Sequence, residues 1–185
     1  MKIVITESQL KRVIENIINE VYDDINEPAK LKNVNIEKSD EKQLIIKFST
    51  ISGNNYAIEA YVDNFDSKVG ETTIKTIQQY NENKPVYFIR FGTYENNKID
   101  VKPLTQNKES LTILRTVFHY LNEYINKYDV RVIYFTADSD SRIVAYKRFI
   151  DKFGKDFLLF SEKDRLVGNI GFVIKKEDYE KAIQK

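Results

Sequence analysis

The residues best suited by type and spacing to do chemistry lie together in DSDSRIVAY, Asp138 to Tyr146. They follow an apolar run, Val130 to Phe135, and so stand where a strand hands over to a helix. An Asp-x-Asp pair in that place can supply a nucleophilic carboxylate beside Mg²⁺. Here Thr136 and Ala137 separate the pair from the strand, and little chain follows to supply the lysine and second acidic pair that this chemistry needs. A calcium loop fails as well, because its sixth position would be Ile143 rather than glycine. Acidic and hydroxyl residues do suit a helix N-terminus, where they cap free N–H groups and complement the dipole. Tyr146 is a candidate general acid, but it lies on the apolar stripe of its helix, where a core tyrosine is the plainer reading. Arg142 can hold a phosphate or carboxylate, or pair with Asp138.

Other chemistries are excluded or weakened by composition. The chain has no cysteine, so disulfides, thiolate metal sites and a cysteine nucleophile are ruled out. Its single histidine, His119, stands beside Arg115 and Asn122 on the polar side of a helical pattern, where it reads as a solvated residue; no metal site is expected. Lysine plus arginine number 29 against 28 acidic residues, which leaves no overall field to draw nucleic acid or an anionic membrane. No apolar run reaches membrane-spanning length. With 42% hydrophobic and 31% charged residues, 185 residues can bury one good core.

These candidates must be held by a definite order of elements. Thr6 and Gln9 form a capping-box pattern, and Leu10, Val13, Ile14, Ile17, Ile18, Val21, Tyr22 and Ile25 recur at three and four, which predicts an amphipathic helix ended by Pro28. From Asn33 the period becomes two. Strands are expected over Val34–Ile36, Leu44–Phe48, Tyr56–Val62, Val86–Phe91 and Ile99–Val101, with turns at Ser52–Asn55 and Glu95–Asn97. Residues 64–84 fit either a short helix or a loop. Leu111, Leu114, Val117, Phe118, Leu121 and Ile125 mark a long helix, and Val130 to Phe135 a strand buried on both faces. Ile143, Tyr146, Phe149, Ile150 and Phe153 mark a second helix stopped near Gly154; Phe157–Phe160 and Ile170–Ile174 follow as strands, then a short helix from Lys175.

The stretch from about residue 85 to 175 resembles the GNAT (GCN5-related N-acetyltransferase) superfamily. In that family a glycine-rich loop after one strand enters a helix whose N-terminus cradles the pyrophosphate of acetyl-CoA, and a second strand splays away into a helix carrying the catalytic tyrosine. SDSRIVAYKRFIDKFG, Ser139 to Gly154, is similar to that second helix, with Tyr146 in the tyrosine position, Ser139 where asparagine is usual and Arg142 where alanine is usual. The resemblance implies acetyl-CoA at Gln106, Asn107, Lys108, Ser110 and Arg142. The segment Leu104 to Ser110, however, has no glycine, and Glu109 brings negative charge toward the phosphates. A narrower resemblance is to GNAT-like proteins of bacteriophages, carried by Phe135-Thr136-Ala137, by Arg142 through Tyr146, and by the opening ITESQLKRVIENIINE.

The expected fold is therefore α+β: a GNAT-like, mixed but mostly antiparallel sheet flanked by helices. It should comprise an N-terminal amphipathic helix over residues 1–27, packed or acting as a targeting segment, and one domain over 28–185. The resemblance implies a phage protein without efficient acetyl-CoA chemistry. It would act as a virion-associated or host-modulating binding protein in the host cytoplasm or the virion. Its partners would be capsid or other virion proteins, or a host protein, and not membrane or nucleic acid. The alternative is an active N-acyltransferase using acetyl-CoA on an amine, with Tyr146 as general acid.

Overall fold

In the computed structural model, residues 30–63, 75, 81, 84–101, 109–137, 139–165 and 168–184 are described. The expected N-terminal helix lies outside them, as does almost all of the stretch from 64 to 83. Among the described residues the order is β1 (Leu31–Ser39), β2 (Gln43–Thr50), β3 (Asn55–Asp63), β4 (Val86–Glu95), β5 (Lys98–Asp100), α1 (Ser110–Tyr128), β6 (Val132–Ala137), α2 (Asp140–Phe153), β7 (Phe157–Asp164), β8 (Gly168–Lys175) and α3 (Lys176–Ile183). All the strands join one sheet in the order β1-β2-β3-β4-β6-β8-β7, with β5 paired to β4. Every pairing is antiparallel except β4 with β6. The fold is thus the α+β class expected, with a mixed, mostly antiparallel sheet flanked by helices.

Local chemistry explains the turns. Between β1 and β2 the Asp40 carboxylate accepts the backbone N–H groups of Lys42 and Gln43, each at 2.9 Å, which folds the chain back. Between β2 and β3 the reversal needs a left-handed residue, and Gly53 supplies it at φ 91°. Asn96 and Asn97 both hold positive φ (50° and 60°), as a two-residue hairpin with the sheet's twist requires, so β4 turns directly into β5.

Alternation places one large core on the face beneath α1 and α2. Leu44, Ile46 and Phe48 of β2, Ile58 of β3, Ile89 of β4 and Ile133 of β6 meet Ile113 and Val117 of α1 and Phe149 and Ile150 of α2 there. Val86, Val132, Tyr134, Ile170, Phe172 and Ile174 form the core of the opposite face, where Tyr179 of α3 packs on Phe160. Strand β6 is buried on both faces, as its unbroken apolar run predicts.

Helix α1 is fixed at both ends. Near its C-terminus the Tyr124 and Tyr128 hydroxyls donate to the carbonyls of Asp40 and Ser39, both at 2.7 Å, and Tyr87 of β4 donates to that of Glu41. At its N-terminus Glu109 accepts from Ser52, from Asn54 Nδ2 at 2.8 Å and from the Tyr56 hydroxyl at 3.1 Å. The helix therefore spans the early hairpins from the β1–β2 turn to the β2–β3 turn. The capping expected at α2 takes another form: Ser139 occupies the cap position without a side-chain capping bond, while Asp140 lies in the first turn and faces Lys163 Nζ at 3.4 Å. An extended Ser139, with φ −152°, leads into the helix by backbone geometry.

Candidate functional site

The parallel pair β4 and β6 opens into a fork. The strands are in register only at Tyr87–Ile133 and Phe88–Tyr134. Beyond those residues β4 stays paired to β3 as far as Thr93–Tyr56, and β6 stays paired to β8 as far as Ala137–Asn169. Each strand follows its own neighbour, and the two part at their carboxyl ends. In sheets with parallel strands, ligands bind in such a crevice outside the carboxyl ends.

The chain itself occupies this opening. Thr93 pairs with Tyr56 on one side and with Asp100 on the other, so β5 lies on the fork side of β4. Next to it, Gly92 is pressed against the same strap: a Cβ there would stand 2.0 Å from the Asp100 carbonyl oxygen and 3.0 Å from the Val101 Cα. A glycine inside a strand marks such a close backbone approach. From the β6 side, Arg142 in the first turn of α2 donates through Nη1 to the Val101 carbonyl at 2.8 Å, with only 6% of the residue exposed. The guanidinium thus bridges from the helix that follows β6 to the strap carried by β4.

Tyr146 lies one turn after Arg142 on α2. Its ring packs 5.8 Å from Phe91 of β4 and 5.2 Å from Phe135 of β6, so it touches both arms of the fork. It also lines an apolar cavity of about 60 Å³ between α1, α2 and the sheet. Ser110 opens α1 and is half-buried. Gln106, Asn107 and Lys108 lie outside the described residues. Arg142 and Tyr146 are therefore brought together on one face of α2.

The electrostatics of the α1 N-terminus run against a phosphate. Burial raises the Glu109 carboxyl, but donors from Ser52, Asn54, Thr50 and Tyr56 outweigh it and hold the group below the usual glutamate range. A fixed negative charge thus stands at the helix end that would otherwise attract an anion. His119 is half-buried, 3.7 Å from Glu123 one turn on, and edge-on to Tyr120. Among the described residues there is no group of three or more His, Cys, Asp or Glu side chains placed to hold a metal, and no helix is long and apolar enough to cross a membrane.

Sequence reasoning reached Tyr146, Arg142 and the short strand after the Glu95–Asn97 turn, but not the placement of that strand along the fork. Its signals were a glycine inside the strand at Gly92 and the Asn96-Asn97 turn that sends the chain back along β4.

A family model described as a family of unknown function (DUF6934) matches residues 53–165, more than half of the chain. No curated protein matches the sequence. Two solved structures are similar in shape: AAC(6')-Ib in complex with ribostamycin and coenzyme A, at 14% identity and TM-score 0.43, and AAC(6')-Ib with parmomycin and acetyl-CoA, at 13% and 0.41. Each alignment covers 76% of this chain and 68% of that one.

Proposed function

We propose a function for a chain that belongs to the family of unknown function DUF6934: a GNAT-like binding protein of bacteriophage origin, virion-associated or host-modulating, without efficient acetyl-CoA chemistry. The observation that carries this reading is the closure of the β4–β6 fork by β5, Val101 and Arg142. A CoA arm carries amides, and amides that leave water need hydrogen-bonding partners. The free edge of β4 would supply them, but at Thr93–Glu95 it is paired with β5, and at Gly92 the Asp100 carbonyl leaves no space. Glu109 adds a repelling charge at α1, and the segment from Leu104 to Ser110 lacks the glycines of a close phosphate loop. Among the described residues, these features support a reading without acetyl-CoA.

The phage setting rests on the opening ITESQLKRVIENIINE and on Phe135-Thr136-Ala137 with Arg142 through Tyr146. Partners in this reading are capsid or other virion proteins, or a host protein. One observation favours the alternative of an N-acyltransferase: Tyr146 touches both arms of the fork, where a general acid would be needed. Release of free thiol from acetyl-CoA in the presence of a panel of amines separates the two. The binding-protein reading expects no release above background at millimolar cofactor. Turnover that Tyr146→Phe abolishes without lowering stability would establish the enzyme instead. Mass spectrometry of purified phage particles tests the virion branch, which fails if the protein is missing from them.

A further inference from the structure

We propose that the cavity beneath α1 and α2 is a binding site for the end of an aliphatic chain, a ligand class that rests on the binding-protein reading and sharpens it. The cavity, of about 60 Å³, has Ile89 and Ile133 of the two fork arms as its floor, with Val117 and Leu121 of α1 and Phe149 and Ile150 of α2 among its walls. Apart from the Tyr146 hydroxyl, Asn122 is the one polar side chain in the lining. A group entering here leaves its hydrogen bonds to water behind and finds almost none in return. That rejects phosphates, sugars and the amides of a CoA arm, and admits hydrocarbon.

Size narrows the class further. An apolar protein cavity of about 150 Å³ holds a benzene ring. A space of about 60 Å³ is too small for that and suits a few carbons of a narrow chain. Leu114, Phe118 and Leu121 of α1 and Tyr146 of α2 are half-buried, so the walls reach the surface along both helices, where the rest of such a molecule would leave. Protein interiors keep few voids larger than a water, and each one lowers stability in proportion to its volume. A void kept between two helices, at the parting of two strands, is in the right place for a ligand.

The test is a titration of the full chain with n-butanol, n-pentanol and n-hexanol, followed through the methyl NMR signals of Ile89, Val117, Leu121, Ile133 and Ile150. Saturable shifts confined to these methyls are expected, with affinity rising about fourfold per added methylene. Hexanediol with a hydroxyl at each end must shift none of them at the same concentration. Val117→Leu, or Val173→Ile should the first variant fold poorly, fills the space and is expected to abolish the n-hexanol shifts. No saturable shift with n-hexanol, equal binding of the diol, or undiminished binding by a folded filling variant would overturn the proposal. Acetyl-CoA binding measured on the same sample would sink the parent reading whatever the alkanols do. Silent alkanols with no acetyl-CoA binding sink this inference alone.

Discussion

Strand β4 has a different kind of neighbour on each edge. Against β3 the ladder runs unbroken from Tyr56–Thr93 to Asp63–Val86, with buried Ile58 and Ala60 beneath the helices. Against β6 only Tyr87–Ile133 and Phe88–Tyr134 are in register, and from Gly92 to Glu95 that edge meets β5 and Val101. The first edge is built for stability, because each residue adds both a backbone pairing and a cross-strand contact. The second creates an opening and then fills it from within the chain. A fork alone therefore does not make a cofactor site; what lies along its free edge decides.

Mutations can break this contrast in order of severity. Ile58→Ala, at a side chain with no exposed surface on the ladder edge, should cost about 3–4 kcal/mol in urea denaturation. A cost below about 1 kcal/mol would show that this edge is not the stabilising one. Gly92→Ala should cost about 1–3 kcal/mol, since the new methyl would meet the Asp100 carbonyl, a backbone atom that moves only with the strap. Its signature is local: amide exchange should quicken over Thr93–Asp100 and stay slow over Tyr56–Asp63. Equal acceleration of both stretches would mean that the strap and the ladder are not separable.

Arg142→Met keeps most of the apolar stem and removes the bond to Val101, for an expected loss of about 1–2 kcal/mol. An unchanged midpoint would remove the bridge from the account. Glu109→Gln has the smallest effect, about 1 kcal/mol at neutral pH. Its pH dependence carries a definite sign. The folded carboxyl lies below its usual range, so its stabilisation is complete above about pH 4.3 and is lost as pH falls through the folded value. The wild type should lose stability in that acid window more steeply than the variant, and parallel curves would contradict the tie.

Much of the frame was legible because it rests on short-range pattern. Alternation marked β2 and β3, the three-four spacing marked α1 and α2, and the continuous apolar run marked β6 as buried on both faces. Tyr146 was legible as a residue of an apolar stripe, and it lies among Phe91 and Phe135. The missed features depend on distant partners. Glu109 reads only as a charge opposed to phosphate until the turn at Ser52 and Asn54, more than fifty residues earlier, folds onto it. Tyr124 reaches the Asp40 carbonyl across 84 residues, and Arg142 reaches Val101 across 41. No local periodicity encodes such contacts. The cap at α2 was misjudged for another reason: residue type favours a side-chain bond at Ser139, but an extended backbone starts the helix without one.

Isothermal titration of acetyl-CoA into the full chain tests the closed fork most directly. With β5, Val101 and Arg142 along the β4 edge and Glu109 at the start of α1, no saturable heat is expected at millimolar cofactor. A saturable isotherm in the micromolar range would contradict the account and return the fork to acyl transfer.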